Sequence, residues 1–206
     1  MREILTKPTR SKPGEPVWAL AERYPLQGAW TERDYLALTG PQVLVEYTDG
    51  QIEVLPIPNV LHQRIVRLLV RALEDFVTSR RLGEVLMAPL PMRLRQDLWR
   101  EPDVIVFAPD QLTPDGRYPT GARLVVEVVS PDDDSVERDY ELKRVVYAEA
   151  GIPEYWSVDP QRAHVVVLRL GGSRYEEFGT FRPGGAILSA SFPELRIPAS
   201  EVLVGG

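Results

Sequence analysis

The sequence predicts an α/β (α+β) fold: a mixed central sheet flanked by helices, with an additional antiparallel β region at the C-terminal end. Three observations predict it. Two amphipathic helical patterns, over residues 59–80 and 136–150, are separated by several short apolar strand patterns. The run Arg123-Leu-Val-Val-Glu-Val-Val-Ser-Pro131 is apolar on both faces, as in the buried middle of a sheet. Beyond residue 163 the chain alternates like antiparallel strands divided by Gly-rich turns.

The elements follow in order. Residues 1–28 are rich in Pro, Lys and Arg and read as an N-terminal arm, with a single domain over residues 29–206. Thr31-Glu-Arg-Asp34 has a helix-start pattern. Residues 43–55 read as a β-hairpin turned at Asp49-Gly50, which supplies the positive φ angles of a tight turn. Pro56 and Pro58 end it, and Asn59 caps a helix reaching Arg80, with Gly83 as a stop signal. Strands follow near residues 84–87, 90–95 and 103–107, then a loop over 108–121 rich in Pro, Asp and Gly. A strand over 124–129 and an acidic turn over 131–135 lead into the second helix, closed by Gly151 and Pro153. Residues 154–158 form the next strand, and the segments 163–178 and 186–204 complete the antiparallel region.

Composition narrows the function. The 206 residues suffice for one substantial core, and 44% apolar with 26% charged residues is ordinary for a soluble globular protein. No apolar run is long enough to cross a bilayer, and the first residues lack the apolar core of a signal peptide, so the expected location is the cytoplasm, with no membrane partner. The absence of cysteine excludes disulfides and thiolate metal sites. A net charge of −6 argues against a protein that coats nucleic acid non-specifically. It does not exclude a nuclease, since a carboxylate-rich metal site subtracts charge locally.

Glu127 is the one acid in the apolar run. An ionised carboxylate there costs several kcal/mol unless it meets a lysine, a cation or both. Five other residues stand where apolar ones are expected. On a wheel of ~100° per residue, His62 falls within the apolar arc of the first helix. Asp139 and Lys143 fall on the inward arc of the second helix, four residues apart. Asp103 opens an apolar strand behind Pro102, and Glu46 shares a face with Leu44. Taken singly, each has an ordinary reading: a histidine near a helix end, an internal salt bridge, a turn aspartate, an edge carboxylate facing water. Together, three carboxylates and a lysine make a hard-oxygen site suited to Mg²⁺, and such a site suits phosphodiester hydrolysis. Arg93, Arg95 and Arg100, and the row Arg64, Arg67 and Arg71 on the outer helix face, are candidates for contacts to a nucleic-acid backbone.

These residues resemble the PD-(D/E)XK nuclease superfamily and, within it, the Uma2 family. The resemblance covers roughly residues 30–200 and rests on five segments. They begin at Glu46-Tyr-Thr-Asp-Gly-Gln and His62-Gln-Arg-Ile, and continue with Glu101-Pro-Asp-Val-Ile-Val and Leu124-Val-Val-Glu-Val-Val-Ser-Pro. The last is Asp139-Tyr-Glu-Leu-Lys-Arg followed by Ala150-Gly-Ile-Pro-Glu-Tyr-Trp. The resemblance implies a restriction-endonuclease-like fold, Asp103 and Glu127 as metal ligands, and Glu46 as an additional acid at the metal. The superfamily pattern places its lysine at position 129, which here is Val129. The resemblance implies that the lysine has moved to the following helix as Lys143. His62 matches a family position and is expected to position water or a neighbouring side chain.

The leading expectation is therefore a Mg²⁺-dependent endonuclease, with Mn²⁺ as a substitute, that hydrolyses DNA through Glu46, Asp103, Glu127, Lys143 and His62. Cleavage of two strands implies a homodimer or higher homo-oligomer by analogy. The main alternative is a non-enzymatic binding protein on a nuclease fold with an idle site, and a hydrolase of small phosphate esters is a third. Serine or cysteine nucleophilic catalysis is set aside, since there is no cysteine and no Gly-x-Ser-x-Gly elbow.

Overall fold

The computed structural model describes residues 24–39, 44–111, 118–129 and 135–206, with residues 39 and 135–140 as backbone only. Most of the expected N-terminal arm and the acidic turn over 131–134 lie outside the described residues. Helix α1 (Glu32–Thr39) precedes the hairpin β1 (Val45–Thr48) and β2 (Gln51–Val54). Helix α2 (Val60–Ser79) leads to β3 (Glu84–Met87), β4 (Met92–Arg95), β5 (Leu98–Arg100) and β6 (Val104–Phe107). Then come β7 (Leu124–Val128), α3 (Ser135–Glu149) and β8 (Glu154–Asp159). The chain closes with β9 (His164–Gly171), β10 (Arg174–Phe181), β11 (Ala186–Leu188), β12 (Arg196–Pro198) and α4 (Ala199–Val204).

Six strands form a mixed sheet in the order β10-β9-β8-β7-β6-β3. Its one parallel pair is β7 with β8, the pair joined by α3, because parallel neighbours require a crossover connection. The strands alternate, so the sheet has two apolar faces. Val104, Val106, Val126 and Val128 face α2, whose buried stripe is Ile65, Leu69, Leu73 and Val77. Each of these side chains contributes roughly 1.5–3 kcal/mol by leaving water. Ile105, Phe107, Val125 and Tyr155 form the opposite core with Tyr147 of α3. Glu127, two residues after Val125, is thereby directed to the α3 side. A second sheet, β2-β1-β5-β4, carries its own aromatic core of Trp30, Tyr35, Tyr47 and Trp99.

Local signals account for most boundaries. Asn59 Oδ1 accepts the His62 amide at 2.9 Å and starts α2, which also fixes where His62 stands. Asp49 and Gly50, at φ 45° and 86°, make the predicted hairpin turn. Thr31 and Asp34 exchange backbone and side-chain bonds at the start of α1. Three expectations need correction. Strand β5 was not expected, because three residues are too few to show alternation. Residues 199–204 form a helix rather than a strand, since Pro198 ends the β12 ladder and Gly205, at φ 78°, closes the helix. The left-handed residue after α2 is Arg81, at φ 55°, and not Gly83. Gly83, at φ 148°, is instead needed by packing: a Cβ there would run into the Phe107 carbonyl at the end of β6.

Gly83→Ala therefore strains the backbone and pushes apart β3 and β6. Urea unfolding should show a loss of about 2 kcal/mol or more. Gly172→Ala has φ 72° and open space around it. It should cost only about 1 kcal/mol. Equal costs at the two positions would contradict this packing account.

Candidate active site

A cleft of about 430 Å³ opens where the two sheets and helices α2 and α3 meet, and Glu46, His62, Asp103, Glu127 and Lys143 all line it. The elements deliver them for separate reasons. Glu46 alternates with Val45 and Tyr47, whose side chains fill the aromatic core, so it turns to the cleft with Leu44. Asp103 precedes β6, and its Oδ2 accepts the Val128 amide at 2.7 Å, which ties the end of β7 to it. His62 Nε2 lies 3.3 Å from the same oxygen. Glu127 is met from α3: Lys143 Nζ lies 3.0 Å from Oε2, and the Tyr147 hydroxyl donates to Oε1 at 2.6 Å. Lys143 and Tyr147 are four residues apart, so one helix face supplies both.

Lys143 thus reaches the acid from the helix, while Val129, where the superfamily pattern places lysine, lines the cleft as an apolar residue. The Asp139 side chain lies outside the described residues, and Lys143 has Glu127 as its carboxylate partner. Leu142, next to Lys143 on α3, is 49% exposed and sits at the cleft wall. The expectation of three backbone-binding arginines near β4 and β5 does not hold. Arg93 forms a two-bond pair with Glu32, and Arg95 does the same with Asp49. Arg100 is buried and lies 3.4 Å from Glu46, with further bonds to Thr48 Oγ1 and the Trp99 carbonyl.

Four residues of the site escaped the sequence reading as site residues. Arg100 neutralises Glu46. Tyr147 holds Glu127, and its position four residues after Lys143 was a usable signal. Glu101 is buried at the cleft with Oε2 unpartnered among the described residues, and the charged pair Arg100-Glu101 before Pro102 marked it. Ser157 stands opposite Glu127 on β8, with its hydroxyl buried and unpartnered among the described residues, and no local pattern distinguished it.

The electrostatics follow from burial. Burial pushes the Glu127 carboxyl up, and the charges of Asp103 and Glu46 add to that, against the Lys143 ammonium and the Tyr147 bond. Burial pulls Lys143 down, but the carboxylates of Glu127 and Glu46 outweigh it, so the amine stays charged. Burial and the Glu46 charge raise Glu101 to about 7. Burial pulls His62 down, yet its bond to Asp103 and the charges of Asp103 and Glu127 leave it raised.

The donor chemistry fits a hard divalent cation. Asp103 and Glu127 repel one another across the cleft, and a cation between acids relieves that repulsion. Among the described residues no three His, Asp or Glu side chains are drawn together at metal-ligating spacing. Mg²⁺ tolerates that poverty, since it keeps several waters and takes one or two carboxylates with substrate phosphates. Glu46 already carries Arg100 as countercharge and is the poorest donor of the three.

A mixed sheet with helices packed on it and an acidic cleft beside it are consistent with a restriction-endonuclease-like fold. The chain belongs to the Uma2 family, described as "Putative restriction endonuclease", whose model matches residues 33–200. It is also similar to a solved structure from Anabaena variabilis described as a "putative nuclease belonging to DUF820", at 21% identity and a TM-score of 0.71, covering 85% of this chain and 98% of that one. None of the curated proteins matches.

The raised groups fix the sign of a pH effect in chelator-treated protein. Glu101, Glu127 and His62 each bind a proton more tightly folded than unfolded. Their contribution is fully present below the unfolded values and is lost as pH rises through the folded ones. The urea midpoint should therefore fall between about pH 5 and about pH 8, and Glu101→Gln should flatten that slope. A midpoint that rises over this window would contradict the burial argument.

Proposed function

We propose that the protein is a Mg²⁺-dependent endonuclease that hydrolyses DNA phosphodiester bonds in this cleft, with Mn²⁺ as a substitute ion. The observation that carries the reading is the convergence of Asp103, Glu127 and Lys143 on one cleft, with Lys143 3.0 Å from Glu127 although the residues lie on different elements. Membership of a family described as "Putative restriction endonuclease" supports the reaction class. Asp103 and Glu127 would hold the ion, with Glu46 as the additional acid at the cleft wall. The bound ion supplies a polarised phosphoryl group and an acidified water.

The chain's own residues do the rest. Tyr147 fixes the Glu127 carboxylate by donating to Oε1, leaving Oε2 to hold Lys143 in place. The charged Lys143 amine then stabilises negative charge developing on the phosphoryl oxygens or orients the attacking water. His62 orients Asp103 through the 3.3 Å contact, and the Val128 amide donates to the same carboxylate oxygen. Water adds to phosphorus and gives up a proton to solvent as the bond to the leaving oxygen breaks, and the leaving oxygen takes a proton from solvent. One cleft cuts one strand, so cleavage of both strands calls for a second copy of the chain.

Two observations favour the alternative, a binding protein with an idle site: Arg100 neutralises Glu46, and no three-residue metal group is assembled among the described residues. Nicking of supercoiled plasmid separates the two readings. The wild type should nick with Mg²⁺ and not with chelator, Asp103→Asn should be inactive, and Lys143→Met should lose about 10²–10³ in rate. A wild type inert on plasmid, linear and branched DNA alike, with no Mg²⁺ binding by calorimetry, sinks the endonuclease reading.

A further inference from the structure

Arg64, Arg67 and Arg71 form a row of exposed arginines on helix α2, recurring at spacings of three and four. Among the described residues none of them has an ion-pair or hydrogen-bond partner, whereas Arg80, Arg93, Arg95, Arg100 and Arg169 each have a carboxylate. A groove of about 530 Å³ runs along this flank, lined by the three arginines with Asn59, Gln63 and Met87. Gln63, Met87 and Pro58 also line the acidic cleft, so the groove leads off from the cleft. One turn past Arg71 the sign reverses at Glu74 and Asp75, so the positive segment is confined to the part of α2 nearer its N-terminus. An unneutralised cationic row also runs against a net charge of −6.

We propose that this groove is the track for the DNA strand whose linkage enters the cleft, with the three guanidinium groups on successive phosphates. The identity of the polyanion rests on the nuclease reading above. The geometry supports the match. Seven residues of helix rise roughly 10 Å, and each strand of a duplex carries one phosphate per ~3.4 Å of the duplex axis, so a row lying along that axis extends over about three phosphate steps. Guanidinium binds phosphate through two parallel bonds, and unpaired arginines meet it without first breaking a salt bridge. The neighbouring chemistry is complementary: arginines hold the flanking phosphates, and the acids of the cleft, through a cation, take the scissile one.

The test is binding without cleavage. Fluorescence anisotropy of a labelled DNA duplex in chelator, across a KCl series, reads the number of phosphates neutralised. The triple variant R64A/R67A/R71A should lower affinity at least ~10-fold and reduce the slope of log affinity against log salt by about 2–3. The triple lysine variant R64K/R67K/R71K should keep most of the slope, which guards against a folding artefact. R169A/R174A, on β9 and β10, should leave it unchanged. An alanine triple with wild-type slope overturns the track, and so does equal flattening by R169A/R174A. The two proposals fail separately. A wild type that binds through this row but never nicks leaves the track standing without the nuclease. A triple variant that nicks and binds like wild type removes the track and keeps the nuclease.

Discussion

Glu127 is a carboxylate in the middle of a strand whose other residues are apolar, and much of the site depends on how that charge is met. Lys143 supplies the opposite charge at 3.0 Å and Tyr147 a hydrogen bond at 2.6 Å, both from one face of α3. Removing one partner of such a pair leaves a buried charge uncompensated, at a cost of ~3–5 kcal/mol. The pair therefore constrains the register of α3 against the sheet. The same helix is the crossover that makes β7 and β8 parallel, which places Ser157 opposite Glu127. The crossover helix, its packing on the sheet and the polar floor of the cleft thus meet at one ion pair.

The cleft shows two ways of managing acid. Glu46 is neutralised by buried Arg100 and pinned within the second sheet. Asp103 and Glu127 are held by hydrogen bonds and single partners, and the lone pairs that remain are available to a cation. The arginines sort the same way. Those of β4 and β5 are committed to Glu32, Asp49 and Glu46, and the row on α2 is not. Charge that is already paired builds the scaffold. Charge left unpaired beside the cleft is what a polyanionic ligand can use.

Much of this was legible in the sequence. The wheels turned His62 and Lys143 inward, period-two alternation turned Glu46 toward the cleft, and the energetic anomaly of Glu127 named the need for a partner. The paired helix and strand patterns gave the order of the elements, and the Asp-Gly turn and the Asn59 cap gave two boundaries. What was not legible depends on contacts between distant segments. Nothing near Gly83 in the chain reveals the Phe107 carbonyl packed against it, and nothing near Arg93 or Arg95 reveals Glu32 or Asp49. Ser157 lies in an ordinary strand and becomes a site residue only through its parallel register with Glu127.

Asp103 and Glu127 are proposed to hold a divalent cation together. The most direct measurement is anomalous scattering from a crystal of the protein equilibrated with Mn²⁺. One strong peak is expected between the two carboxylates, with Lys143 still beside Glu127. A difference map with no peak there, and both acids still bound only to His62, Val128, Tyr147 and Lys143, would contradict it.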